Sequence, residues 1–224
     1  MAFFSSCWFL SLRLGRRSRL HRDRHESTRS EASYDAPLHA TISYPAPPLS
    51  STAAALRPFR EDDFGAALTL EQDETAARWV PALPAADGAG VVAFYDACRL
   101  EGSLLHLVIA DRVTDAYLGE TMLALTEHSV GEVGCCLVPA ARGRGIATEA
   151  LRLLTDWAFA KLGLGRVQVF VAPENLPALR LALEDLKRGQ DARGIGRWQR
   201  CGEDQRTAVV LEEVDDVLRP GHES

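Results

Sequence analysis

The stretch from Gly131 to Leu162 constrains the fold more than any other part of this 224-residue chain. Residues Glu132 to Val138 are mostly β-branched or apolar, and Pro139, which cannot donate to a sheet ladder, predicts where that strand ends. From Ile146 apolar residues recur at helical spacing, and Gly163 stands where a helix C-cap belongs. The stretch therefore predicts a strand, a short turn and an amphipathic helix, in that order.

The turn itself consists of Arg142, Gly143, Arg144 and Gly145. The first amides of a helix have no partner inside it and lie at the positive end of its dipole, so this turn predicts an anion site. Glycines let a ligand approach the backbone, and the forked donors of arginine suit phosphate oxygens, so a diphosphate fits. Neither a Walker A sequence nor Gly-x-Gly-x-x-Gly is present there, which argues against nucleotide hydrolysis and hydride transfer.

Composition and charge indicate a globular domain with a basic extension. The chain is 46% hydrophobic and 25% charged, with a net charge of −6. Residues 11–30 hold seven arginines and only two acidic residues, so the remainder is more acidic than the total suggests. An acidic body argues against general nucleic-acid binding.

The five cysteines do not form a recognisable framework. Their number is odd and no Cys-x-x-Cys pair occurs, so neither structural disulfides nor a zinc site is indicated, and we expect reduced thiols in the cytoplasm. Cys135 and Cys136 should point to opposite faces of their strand. We interpret both as small packing residues, with a nucleophile as the alternative.

The first 55 residues have the composition of an extension. Residues 1–12 are apolar but too short to span a bilayer, and they lack the basic start of a secretory signal. The following Arg- and Ser-rich segment suits either an organellar transit peptide or an extension translated from upstream of the usual start. Residues 32–55 are rich in Pro, Ser, Thr and Ala and should not fold alone. We therefore predict a disordered extension over 1–55, one domain over 56–218 and a tail over 219–224.

Helical and strand patterns follow one another through that domain. Helical spacing predicts helices near 64–70, 76–79, 88–100 and 146–162, and a short one after residue 175 that reaches about 186. Strands are predicted at 56–60, 104–110, 116–125, 129–138, 166–171 and 207–214. The sequence therefore predicts an α+β fold with a mixed, mostly antiparallel twisted sheet flanked by helices.

The turn and its surroundings resemble a known family. Arg142-x-x-Gly145-x-Ala147, directly after a strand ending in Leu-Val-Pro and before Thr-Glu-Ala-Leu, is similar to the acyl-CoA motif of the GNAT superfamily of N-acetyltransferases. The opening Leu-Arg-Pro-Phe-Arg-Glu-Asp-Asp at Leu56 also resembles the RimJ/RimL group, whose members acetylate protein N-terminal amines. This resemblance covers about 56–217 and implies the GNAT acyl-CoA N-acyltransferase fold.

The resemblance also implies acetyl-CoA as acetyl donor and a primary amine as acceptor. The turn would hold the diphosphate, free strand amides would stabilise the acyl oxygen, and Asn175 would contact the CoA arm. The donor-binding residues would then be Leu137, Val138, Arg142, Gly143, Arg144, Gly145, Ile146, Ala147, Thr148 and Asn175. For the base that takes the proton of the amine, Glu132 is the first candidate and Glu120 the second. The alternatives are a structural role for Glu132 or a proton relay through water.

The chain departs from the family pattern after Asn175. Ala178 stands where family members usually carry a serine, so the group that protonates the leaving thiolate is not identified, and solvent could serve. Segment 184–197 lacks the usual Leu-Gly-Phe step, which leaves the acceptor side open. We expect His106 to be a core residue, and Trp79 either packs or lines the acceptor pocket.

Several functions remain open at this stage. The acceptor is a protein N-terminal amine or a small-molecule amine, including an antibiotic, and a CoA-binding module that has lost catalysis is the competitor from another class. We expect no metal, no nucleic-acid or membrane partner for the domain, and a monomer or homodimer. An RNA or acidic partner for the basic extension is a third alternative.

Overall fold

The computed structural model describes residues 40–80, 82–127, 130–172, 174–182, 197–201 and 206–212. Eight strands within these ranges form one sheet. They are β1 (Leu49–Ser50), β2 (Ala54–Arg57), β3 (Leu104–Asp111), β4 (Tyr117–Glu127), β5 (Val130–Leu137), β6 (Arg166–Val171), β7 (Arg197–Cys201) and β8 (Arg206–Glu212). Their order is β1-β2-β3-β4-β5-β6-β8-β7, and neighbours are antiparallel except for β5 and β6, which are parallel.

The helices begin and end close to the predicted residues. They are α1 (Phe64–Glu71), α2 (Gly88–Leu100), α3 (Ile146–Leu162) and α4, of which 176–182 are described, with short 3-10 turns at Glu61–Asp63, Ala76–Arg78 and Pro139–Ala141. Asp87 caps α2 by accepting a 2.7 Å hydrogen bond from the Gly90 amide. Gly163 ends α3 with a left-handed φ of 63°, the conformation that favours glycine at this position.

The sheet separates two hydrophobic layers. Leu105, Leu107 and other alternate residues of the strands pack against α3 on one face, and Val108 with its neighbours packs against α1 and α2 on the other. β3 is buried along almost its whole length because it has helices on both faces. The predicted α+β class, with a mixed and mostly antiparallel sheet between helices, is confirmed.

The packed part of the chain begins earlier than the sequence indicated. Ile42 is 1% exposed, and its backbone exchanges hydrogen bonds with Arg99, the amide donating at 3.0 Å and the carbonyl accepting at 2.9 Å. β1 adds to β2 in front of the expected boundary at Leu56. Residues 40–55 therefore belong to the folded part, because the apolar side chains scattered among the prolines pack into the layer between the sheet and α3.

Two strands differ from the sequence prediction, β2 in its bounds and β7 in being present at all. β2 covers Ala54–Arg57 instead of 56–60, since Pro58 cannot continue the ladder. β7 was not predicted, because the irregular segment before it gave no strand pattern. The rest of that segment, the predicted helix end near residue 186, the last strand beyond residue 212 and residues 1–39 lie outside the described residues.

A buried ion pair closes the end of β2. Arg57 donates through two nitrogens to the two carboxylate oxygens of Asp63, at 2.7 and 2.8 Å, and both side chains are less than a tenth exposed. Its third nitrogen reaches Asp115 in the β3–β4 turn at 2.8 Å. One guanidinium therefore fixes the start of α1 and the hairpin turn against β2.

No helix in the described ranges is both long enough and apolar enough to cross a membrane.

Candidate active site

The turn between β5 and α3 has the backbone of a ligand-binding loop. Gly143 and Gly145 adopt left-handed φ angles of 71° and 76°. A Cβ placed on either glycine would meet no heavy atom within 4 Å. The glycines are therefore required by the backbone conformation and not by crowding, and the space above the turn is open.

The amides at the start of α3 point into this open space. Among the residues whose positions are described, no side chain caps the helix at Gly145, and the first bond to its carbonyl comes from the Glu149 amide at 3.1 Å. The amides of Ile146, Ala147 and Thr148 precede that bond and have no acceptor within the helix. The side chains of Ile146 and Thr148 are buried, which holds the turn on the sheet, while Arg144 is exposed beside it. These groups fit a diphosphate.

A cleft opens between β5 and β6 next to this turn. The two strands, which are fully described, pair at three successive positions, from Val130 opposite Arg166 to Glu132 opposite Gln168. Beyond Glu132, β5 continues to Leu137 without pairing with β6, whose other edge pairs with β8 from Arg166 to Val171. The gap between the strands leaves one side of the last part of β5 without a strand neighbour.

Strand alternation decides which amides face that gap. The Val138 amide donates to the Leu118 carbonyl in β4 at 2.9 Å, so it is not available to a ligand, contrary to the sequence prediction. Because successive residues of a strand turn their N–H groups to opposite sides, the amides of Leu137 and Cys135 face the gap. Leu137 therefore stays a candidate, and the amide of Cys135, whose side chain packs against the core, faces the gap as well.

The side chain of Arg142 does not extend over the turn as expected. Its Nε donates to the Leu137 carbonyl at 3.0 Å, and its Nη2 donates to Asp73 at 2.6 Å. The arginine of the motif is thus engaged with protein groups, whereas Arg144 is exposed and its charge helps to lower the pKa of Asp111.

Glu120 lies on β4 in a buried polar cluster. It accepts a 2.6 Å hydrogen bond from the Tyr117 hydroxyl and contacts His106 Nε2 at 2.9 Å. Burial raises the pKa of Glu120, but the charge of His106 and the hydrogen bonds from His106 and Tyr117 outweigh it, so that the pKa lies below its usual value. Both carboxylate oxygens are occupied, which makes Glu120 a poor proton acceptor.

His106 is a core residue, as expected. It is 6% exposed, and the ring of Tyr95 stacks on it at 3.7 Å between centroids with an angle of 4°. Within the described parts of the chain, its Nδ1 has no hydrogen-bond partner. The imidazole therefore serves to hold the Glu120 carboxylate.

Glu132 lies on the same face of the sheet as Glu120 but in a different place. Glu120 is opposite Cys136 and Glu132 is opposite Ala124, so four residues, or about 13 Å along the strands, separate the backbone positions of the two glutamates. Glu132 is half-buried and occupies the last position at which β5 pairs with β6. Of the two glutamates, Glu132 is therefore the one beside the gap.

Asn175 has a structural contact that the sequence analysis did not anticipate. Its Oδ1 accepts a 3.3 Å hydrogen bond from the Ala178 amide, so it caps the start of α4. Ala178 packs with Val171 and Ala182, which accounts for an apolar residue at the position where a serine was expected.

The adjacent cysteines are poor nucleophiles. Burial raises the pKa of Cys135 to about 12 and, with the nearby Glu120 carboxylate, that of Cys136 to about 11, although Arg142 opposes the latter shift. Thiolates are scarce at neutral pH under these conditions, which favours direct transfer over a thioester on the enzyme.

Two further predictions about the site concern Trp79 and metal binding. Trp79 follows the 3-10 turn at Ala76–Arg78 and is 37% exposed, so a contact with the acceptor stays a prediction. Among the residues with described positions, no cluster of three or more His, Cys, Asp or Glu side chains could hold a metal ion.

The comparison with family models decides the classification. The model described as "Acetyltransferase (GNAT) domain" matches residues 54–184, which is more than half of the chain. The chain belongs to the GNAT acetyltransferase family.

Curated GNAT relatives match over shorter stretches. The "Uncharacterized N-acetyltransferase p20" of Bacillus licheniformis is 33% identical over 84 residues, or 37% of this chain and 47% of its own length. The "Probable N-acetyltransferase YjcK" of Bacillus subtilis is 45% identical over 65 residues, which are 29% of this chain and 34% of the relative. The chain thus spans less than half the length of these curated relatives.

Solved GNAT structures share the fold along most of the chain. An acetyltransferase from Agrobacterium tumefaciens has a TM-score of 0.60 at 21% identity, covering 78% of this chain and 99% of its own. A Vibrio cholerae protein described as a "putative ribosomal-protein-serine acetyltransferase" has a TM-score of 0.56 at 17% identity, covering 77% and 100%. At these identities the likeness shows the fold alone.

Proposed function

We propose that this protein is an acetyl-CoA-dependent N-acetyltransferase that moves an acetyl group to a primary amine by direct attack in a ternary complex. The observation that carries the proposal is the junction of β5 and α3, where an uncapped helix N-terminus with an open glycine turn adjoins a gap between two parallel strands. A diphosphate on the turn would direct an extended thioester arm into that gap. GNAT membership supports acetyl-CoA as the donor.

The donor would be held mainly by backbone groups. The amides from Gly143 to Thr148 and the Arg144 side chain would bind the diphosphate. Attack of a neutral amine on the thioester carbon places negative charge on the acyl oxygen and expels the CoA thiolate. The Cys135 and Leu137 amides, which face the gap, are placed to donate to that oxygen. Asn175 remains a candidate for the CoA arm, with the capping contact to Ala178 as its first role.

Glu132 is the proposed base. It lies where β5 and β6 part, whereas both oxygens of Glu120 are bound by His106 and Tyr117 and its pKa is lowered. A base must lie within reach of the amine, so the position of Glu132 beside the gap favours it, acting directly or through a water molecule. Glu120 would then position β4 against β3 through His106.

The acceptor we propose is a protein N-terminal amine. The RimJ/RimL-like opening at Leu56 and the Vibrio cholerae neighbour named for a ribosomal-protein serine support it. Other neighbours are named for a nucleotide-linked sugar and for spermidine, so a small-molecule amine is the second candidate. A cytoplasmic location, inferred from the unpaired cysteines, and a monomer or homodimer complete the proposal.

The decisive experiment is calorimetric titration of the full chain with acetyl-CoA, followed by measurement of CoA release over a panel of peptides with free N-termini, polyamines and aminoglycosides. Saturable binding with CoA release by one class of amine supports the enzyme and identifies the acceptor. Binding without release by any amine indicates a CoA-binding module instead. A folded protein that does not bind acetyl-CoA contradicts both.

A further inference from the structure

Arg142 replaces a missing strand neighbour. The carbonyl of Leu137 faces the same side as its amide, into the gap where β6 has left β5. The Nε of Arg142 donates to this carbonyl at 3.0 Å and so fixes the end of β5 from the gap side. The Val138 amide fixes it from the β4 side. The peptide that follows the proposed oxyanion amide is thus held by one side chain and one backbone bond.

Asp73 in turn holds Arg142. It lies in the segment between α1 and the 3-10 turn at Ala76–Arg78, and its Oδ1 accepts from Arg142 Nη2 at 2.6 Å and from the Ala76 amide at 2.9 Å. The hydrogen bond from Arg142, followed by that from the Ala76 amide, lowers the pKa of Asp73, so the carboxylate is charged at neutral pH. The Oδ1 atom of Asp73 therefore links the segment that leads to the exposed Trp79 to Arg142 in the turn and, through Arg142, to the end of β5.

We propose that Asp73 is a positioning residue that keeps Arg142 on the end of β5 and away from the donor diphosphate. The inference rests on the proposed function and adds a residue that lies 69 positions before the motif arginine. Its chemistry is a competition, because the carboxylate of Asp73 and a diphosphate are both bidentate acceptors for one guanidinium.

Because of this competition, a change at Asp73 should affect donor affinity and turnover in opposite directions. Neutralising Asp73 removes a negative charge near the diphosphate site and releases one arm of the guanidinium, so donor binding should become tighter. The same change lets Arg142 leave the Leu137 carbonyl, so that the end of β5 and its oxyanion amides are less well fixed and turnover should fall. A purely structural role would weaken both together.

The test compares Asp73→Asn with Asp87→Asn in the full chain. Asparagine keeps the capping acceptor at both positions but removes the charge, and Asp87 caps α2 without contacting the turn. For Asp73→Asn we expect the Kd for acetyl-CoA to fall about threefold and acetyl-CoA hydrolysis without acceptor to slow about tenfold. For Asp87→Asn we expect both to stay within about twofold of the wild type.

Arg142→Lys provides the second variant, because an ammonium cannot span the Leu137 carbonyl and Asp73 in the fixed fork of a guanidinium. It should slow hydrolysis as Asp73→Asn does, and the double variant should lose no more than either single one. Weaker acetyl-CoA binding by Asp73→Asn, or hydrolysis like that of Asp87→Asn, would show that Asp73 does not position Arg142 while leaving the enzyme assignment intact. Absence of acetyl-CoA binding by the wild type would overturn both the proposed role of Asp73 and the proposed enzyme function.

Discussion

The two ends of α3 allow a matched test of the donor site. Gly145 precedes the helix with φ 76° and Gly163 follows it with φ 63°, and a Cβ on either would meet no atom within 4 Å. Alanine at each position therefore adds the same strain without a clash, roughly 1–2 kcal/mol for a left-handed conformation. Part of that is offset because alanine restricts the unfolded chain by about 0.4–1 kcal/mol. Each variant should lose about 1 kcal/mol of stability, or about 2–4 °C in Tm.

Acetyl-CoA binding should distinguish these two variants. If Gly145→Ala keeps its backbone, the new methyl group projects into the open space above the turn, and if the backbone relaxes, the amides of Ile146 and Ala147 rotate away from the ligand. A lost bond to a charged group is worth about 1.5–3 kcal/mol, so the Kd should rise more than about tenfold. Gly163→Ala should bind as the wild type does. Equal affinities for the two variants in calorimetry, at matched Tm, would refute the assignment of the diphosphate to this turn.

Three further predictions concern the frame of the site. Gly88→Ala should destabilise the protein by about 1–3 kcal/mol in urea unfolding, because its Cβ would lie 2.6 Å from the backbone oxygen of Glu61. Gly65→Ala is the control: its Cβ would meet nothing within 4 Å among the described residues, and it should stabilise α1 by about 0.5–1 kcal/mol. Glu120→Gln should cost about 2 kcal/mol at pH 7. Because the pKa of Glu120 is lowered from 4.5, its contribution to the free energy of unfolding is present above pH 4.5 and is lost as the pH falls through the folded pKa. The unfolding free energies of the wild type and Glu120→Gln should therefore converge in acid. A difference that stays constant with pH would contradict the lowered pKa. Arg57→Ala should cost about 3–5 kcal/mol by leaving Asp63 buried and unpaired, and a urea midpoint close to that of the wild type would contradict a buried pair.

The sequence predicted the centre of this fold because local signals and tertiary demands agree there. β5, the glycine turn and α3 each carry their own pattern, and the structure has all three at the predicted residues. The first predicted strand was placed about two residues late and residues 40–55 were assigned to the extension, because they are held by pairing with β2 and by packing in the α3-side layer rather than by a local pattern.

The sequence did not predict which side chains contact one another in the site. That Arg142 would bind Asp73 depends on where α1 ends in space, and nothing in either segment signals the contact. Likewise, the amide of Val138 is bound by Leu118 and the amide of Cys135 faces the gap, because the pairing with β4 sets the direction of each amide. A strand pattern shows which side chains share a face, but the direction of a backbone amide follows from the register with the neighbouring strand.

The short strand β1 has a consequence for how this domain can be cut. β1 covers the outer edge of β2 through Leu49 and Ser50, upstream of the residues that match the family model. Exposed sheet edges pair readily with other chains, and a short covering strand is one way in which proteins prevent it. A chain that starts at the family boundary would expose β2 and the apolar site left by Ile42, and it should self-associate. The residues whose composition is that of a linker therefore protect the outer edge of β2 from pairing with other chains.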